Sequence, residues 1–124
     1  MADKPVLQPS PQHPITVTPT GSRVVVTVAG TVVADSRNAL TLQESTYPAV
    51  QYVPIADVDA ALLERTTTES YCPFKGDASY YSISVGGAKA VDAVWEYRAP
   101  HDAVAEIKDH VAFYPDRVDS IEVG

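Results

Sequence analysis

At 124 residues, 45% of them hydrophobic, the chain has the length of one domain and the apolar content of a folded one. Its net charge of −7 disfavours nucleic acid and anionic membranes as general partners. A single cysteine excludes an internal disulfide and a cysteine-built zinc cage.

The charge is unevenly spread. Residues 1–56 hold three acids and three bases, whereas residues 57–124 hold thirteen acids and six bases. The longest mostly apolar run, Val24 to Ala34, is eleven residues and too short to span a bilayer. Met1 to Pro5 lacks the apolar core of a signal peptide, so a cytoplasmic domain is expected.

Residues 1–14 contain Pro5, Pro9, Pro11 and Pro14. Proline blocks helix propagation and interior sheet pairing, so a flexible, extended arm is expected there, dispensable for folding. A single β-rich domain is expected over residues 15–124. Ile15 to Thr18 suggests a short edge strand stopped by Pro19. Arg23 to Val28 is β-branched, Ala29-Gly30 supplies a turn, and Thr31 to Ala34 returns as a hairpin partner.

Ala39 to Ser45 predicts a third strand whose phase is informative. Leu40, Leu42 and Glu44 share one face. A carboxylate in phase with leucines either sits at a fraying strand end or points inward against a partner. Burial would raise its pKa and pairing would lower it.

Val50 to Val53 reads as a short strand. Asp57 has the chemistry of a helix N-cap with Asp59 in the first turn, which predicts a short helix over Val58 to Leu63. Glu64 to Ser70 reads as a strand. Tyr80 to Val85 alternates, with Tyr81, Ile83 and Val85 on one face. Gly86-Gly87 signals a hairpin, and Ala88 to Tyr97 returns with Trp95 and Tyr97 on a common face. Pro100 suits the first position of a second short helix carrying Val104 and Ile107. Val111 to Tyr114 and Val118 to Val123 close the chain as strands. The fold expected is mainly β: an antiparallel single domain with two short helices.

Cys72, with Lys75 three residues on, has the ingredients of an activated thiolate, although free cysteines are commonly inert packing residues. Lys75-Gly76 lacks the glycine and hydroxyl pattern of a phosphate loop and is equally satisfied by a turn. Asp57-Val58-Asp59 resembles a metal-binding acid pair, but helix capping accounts for it. His13, His101 and His110 have no metal-ligand spacing, so neither metal nor cofactor is expected.

The chain resembles the bacterial family catalogued as domain of unknown function 427. The resemblance rests on residues 30–36, 44–54, Asp57-Val58, Cys72-Pro73-Phe74-Lys75-Gly76-Asp77-Ala78-Ser79-Tyr80-Tyr81, residues 93–97, Pro100 and residues 111–114. One position departs from the family pattern: Val94 stands between the usual Ala and Trp. The resemblance implies a compact β-rich domain and no defined activity. A nucleotidyltransferase label sometimes attached to the family needs acids after a Gly-Gly or Gly-Ser loop, whereas Gly86-Gly87 follows Asp57 and Asp59 here. The matching positions that carry chemistry are Asp35, Glu44, Tyr52, Cys72, Lys75, Tyr80, Trp95 and Tyr97.

Two functional readings follow. In the first, an unidentified small molecule binds a site built around Glu44, Lys75 and Trp95, with Asp35, Tyr52, Cys72, Tyr80 and Tyr97 as further ligand contacts. If that site is catalytic, Glu44 is the acid or base and Lys75 stabilises negative charge. In the second, the chain is a non-catalytic interaction domain whose Cys72–Tyr81 loop is structural. A concave pocket containing Lys75 favours the first; a solvated Lys75 with filled packing at Trp95 favours the second.

Overall fold

The computed structural model describes residues 4–124. Its ten strands are β1 (Ile15–Pro19), β2 (Val24–Val28), β3 (Thr31–Ser36), β4 (Leu40–Glu44), β5 (Val50–Pro54), β6 (Leu63–Cys72), β7 (Gly76–Val85), β8 (Ala88–Tyr97), β9 (His110–Phe113) and β10 (Ser120–Val123). A seven-stranded sheet runs in the order β1-β4-β5-β9-β8-β7-β6, and a three-stranded sheet in the order β10-β2-β3. Every strand pairing is antiparallel. The protein is a mainly β domain, and β1 takes the sheet edge that its Pro19 stop suggests.

The period-two pattern of the strands sorts the core into two layers. Val24, Val26, Val28, Val33 and Ala34 of the small sheet pack with Val53, Ile83, Ala93, Val94, Val111 and Phe113 of the large one. The alternate residues form a second cluster: Leu42, Tyr52, Ala78, Tyr97 and Ala112, covered by Val104 and Ile107. Tyr52 and Val53 thus serve opposite faces of one strand, as do Ala112 and Phe113.

The two expected short helices form as 3-10 turns rather than as α-helices. In place of Val58–Leu63 there are two single 3-10 turns, Ile55–Asp57 and Ala60–Leu62. Between them Val58 is extended and bridges Ala34, and the Asp59 N–H bonds Val33 O at 2.9 Å. Pairing with β3 therefore takes the backbone that a helix would need. Asp57 does not cap a helix; its carboxylate accepts from Ser36 Oγ at 2.6 Å. Asp59 is the cap, accepting from the Ala61 N–H at 3.2 Å. The second helix is a 3-10 segment, Asp102–Ile107, kinked at Val104. Val104 and Ile107, three residues apart, both lie in the second core cluster, where both are fully buried. No helix among the described residues is long and apolar enough to cross a membrane.

The first three residues of the arm, and with them the start of the segment read for a leader, lie outside the described residues. The rest of the arm lies along the Cys72–Gly76 turn. The Leu7 N–H bonds Pro73 O at 3.0 Å, and Tyr71 OH donates to Pro5 O at 2.7 Å. Lys4 pairs with Asp77. The His13 ring stacks on Phe74 at 4.2 Å between centroids, with the planes 8° apart.

Candidate functional site

The site begins with the turn between β6 and β7. Cys72 and Gly76 close this hairpin, and the Lys75 N–H bonds Cys72 O at 3.1 Å. The Lys75 carbonyl accepts from the His101 N–H at 2.8 Å, which ties the turn to the strap after β8. Gly76 has φ +119°, and a Cβ there would sit 3.3 Å from Ala99 O. Glycine answers both constraints, since it alone accepts that backbone readily and adds no atom at the close approach. The strand expected to begin at Tyr80 therefore starts at Gly76.

The turn sends the Lys75 side chain inward, where it is only 9% exposed. It meets Glu44, whose side chain is 15% exposed, and the two form an ion pair. The second oxygen of Glu44 bonds His13 Nε2 at 2.7 Å. Lys75 Nζ also lies 3.7 Å from Cys72 Sγ. β4 pairs in register through Ile15↔Glu44, so the carboxylate is inward on a paired residue rather than on a frayed end. Burial pushes the Glu44 carboxyl up, but the hydrogen bonds from Lys75 and then His13 outweigh it, and the group sits below its ordinary value.

This ion pair forms part of the wall of a cavity of about 700 Å³. Tyr52, Tyr80, Trp95 and Tyr97 line it too. Trp95 Nε1 donates to Tyr52 OH at 3.2 Å, and the Trp95 ring packs on Tyr114 at 4.5 Å. The Tyr80 hydroxyl is taken by Ser70 Oγ at 2.7 Å. The Tyr97 hydroxyl has no hydrogen-bond partner among the described residues, although the residue is only 8% exposed. Burial raises the pKa of both Tyr52 and Tyr97, so both hydroxyls keep their protons near neutral pH. Burial likewise pushes Tyr114 up to about 12.

Residues of β5 and β9 both line the cavity. They pair only at Val53↔Val111 and Pro54↔His110. The lining draws on both sheet faces: Val24, Val26 and Ile121 on one, Leu42, Tyr52 and Tyr97 on the other. A fully paired sheet would keep those faces apart.

Of the residues singled out in the sequence, Glu44, Tyr52, Lys75, Tyr80, Trp95 and Tyr97 meet at this cavity. Cys72 stands behind Lys75, half-buried. Asp35 is elsewhere: it forms a two-point ion pair with Arg23 at 2.6 and 2.8 Å on the small sheet and does not line the cavity. Two contributors carry no sequence signal of this role. His13 sits among prolines in the arm, and Tyr114 lies beyond the end of a closing strand. Among the described residues, no group of three or more His, Cys, Asp or Glu side chains is placed to hold a metal.

A β-rich domain of two antiparallel sheets is the class that these features define. The family model described as a domain of unknown function, DUF427, matches residues 16–124, and the chain belongs to that family. No curated protein matches the chain.

Proposed function

We propose that this protein binds a small molecule in the cavity between β5 and β9. One observation carries the reading: Glu44 and Lys75, brought from segments 31 residues apart, are a shielded ion pair on the wall of a mostly apolar cavity of about 700 Å³. That volume suits a metabolite-sized ligand, and few polar groups on apolar walls are the usual composition of such sites. Lys75 is enclosed rather than solvated, and Trp95, though packed against Tyr52 and Tyr114, also lines the cavity. Both features speak for a binding site over a purely structural loop.

The pair reads as a polar anchor rather than an acid–base engine. A general base works best with a pKa near the working pH. Glu44 is held the other way, with both oxygens occupied by Lys75 and His13.

A metabolite library screened by thermal shift tests this reading, with Trp95, the single tryptophan, as an internal reporter. A ligand bound only to the folded state raises the melting temperature by mass action. Hits should also change Trp95 emission and bind more weakly to Val50→Phe, which narrows the cavity that Val50 lines and adds no second tryptophan. Hits that leave the emission unchanged and bind Val50→Phe equally well would refute the cavity as the site.

A further inference from the structure

The cavity wall also indicates the charge and polarity of what it takes. Among the described residues, Glu44 and Lys75 are its only charged lining residues, and they neutralise one another. Both carboxylate oxygens are already occupied, one by Lys75 and one by His13. The donors are not exhausted. An ammonium has three protons, and the Lys75 Nζ has two partners among the described residues, Glu44 and Cys72. The Tyr97 hydroxyl has none, although the residue is more than nine-tenths buried. It is not sealed off either, since no buried side-chain oxygen or nitrogen among the described residues is without a partner. Its hydroxyl therefore faces open space, and the cavity is the space that the residue lines.

A ligand that satisfies these groups must accept hydrogen bonds. A net charge on it would find no free counter-charge in the wall and would lose its hydration without compensation. Beyond the polar end, the lining is aromatic at Tyr80, Trp95 and Tyr114 and aliphatic at Val24, Val26 and Ile121. We infer that the ligand is an uncharged, largely apolar ring compound with one carbonyl-type acceptor, which accepts hydrogen bonds from the Tyr97 hydroxyl and the spare Lys75 N–H. This rests on the reading of the cavity as a binding site.

The test uses the full chain and the uncharged naphthyl ketone prodan, whose emission responds to hydrogen bonding at its carbonyl. Matched naphthalenes then displace it: 2-acetylnaphthalene (neutral acceptor), 2-naphthoate (anion) and 2-naphthylmethylammonium (cation). The neutral ketone should displace prodan at concentrations roughly tenfold or more below either ion, as expected for burying an uncompensated charge. Tyr97→Phe should weaken the ketone about three- to tenfold, the worth of one hydrogen bond, and leave the two ions unchanged. Its melting temperature, compared with the wild-type value, shows that the variant is folded. Naphthoate or the ammonium competing as well as the ketone would overturn the inferred neutrality while leaving the cavity a binding site. An unaltered ketone affinity in folded Tyr97→Phe would overturn the donor assignment. Absence of saturable prodan binding at any concentration below its solubility would sink the inference together with the cavity reading.

Discussion

Breaking the Glu44–Lys75 pair gives the sharpest test of the site's geometry. Removing one member of a fully buried pair costs about 3–5 kcal/mol, because the survivor is left charged and desolvated. The two singles are not equivalent here. After Lys75→Met, Glu44 keeps His13 at 2.7 Å and a 15% exposed side chain, so about 2–3 kcal/mol is expected. After Glu44→Gln, the ammonium keeps a neutral amide oxygen and a thiol sulfur at 3.7 Å, and about 3–4 kcal/mol is expected. The double variant strands no charge and should be more stable than Glu44→Gln alone, which gives a coupling of about 2–3 kcal/mol. Urea unfolding followed by Trp95 emission measures each value by linear extrapolation. A coupling below about 0.5 kcal/mol, the level of an exposed pair, would refute the claim that the two charges are shielded together.

The same pair sets an acid limit. Unfolded, Glu44 titrates near 4.5; folded, it titrates lower. Between those values the unfolded chain binds more protons, so stability rises with pH across the window. The contribution is complete above about pH 4.5 and fades as pH falls through the folded value. Glu44→Gln should flatten this part of the stability curve. An equally steep acid limb in that variant would place the sensitivity in other carboxylates.

Gly76→Ala should lower stability by about 1–3 kcal/mol in thermal or urea unfolding, from the strained φ of +119° and the 3.3 Å approach to Ala99 O. Deleting residues 1–14 removes His13 from Glu44, the Pro5 carbonyl from Tyr71 and the Leu7 bond to Pro73, and should cost about 1–2 kcal/mol rather than nothing. His13→Ala alone should reproduce a large part of that loss, and a deletion with an unchanged melting temperature would show that the arm contacts contribute nothing. Cys72 is half-buried, so iodoacetamide should alkylate it slowly in the native protein and fast in urea. Rapid native labelling that disappears in Lys75→Met would instead mark it as an activated thiolate.

The phase of β4 was the most informative signal in the sequence. Leu40, Leu42 and Glu44 do share a face, so alternation offered an inward carboxylate as one of two readings, and the pairing of Glu44 with Ile15 decides for it. The hairpins at Ala29-Gly30 and Gly86-Gly87 were equally legible because turn chemistry is local. The helices were legible in place but not in kind. Asp57 and Asp59 give the same local capping signal whether or not a helix follows. What decided the outcome was pairing of Val58 with Ala34, a contact 24 residues away that periodicity cannot contain. Asp35 shows the same limit: its match to the family pattern does not say whether it serves the cavity or, as here, binds Arg23. His13 was hidden for a third reason. Proline-rich segments have no periodicity, and its role depends on where the arm is laid down.

The short pairing of β5 and β9 follows from which neighbour each strand obeys. β5 stays with β4 through Leu40↔Tyr52, Thr41↔Gln51 and Leu42↔Val50. β9 stays with β8 through Val94↔Phe113 and Trp95↔Ala112, and the next amide, Tyr114 N–H, bonds Ala93 O at 2.9 Å. Past Val53↔Val111 the two strands are therefore committed to opposite sides. Pro48 and Pro115, both in the cavity lining, stand beyond the open ends of these strands. Neither has an N–H with which to extend the ladder back together. Each further ladder bond would contribute only about 0.5–1.5 kcal/mol net, so two prolines and two better-paired neighbours suffice to hold the strands apart. The cavity is thus a product of strand pairing rather than of missing side-chain volume. The aromatic rings of Tyr52, Trp95 and Tyr114 brace its walls, and Glu44 and Lys75 give it a polar end.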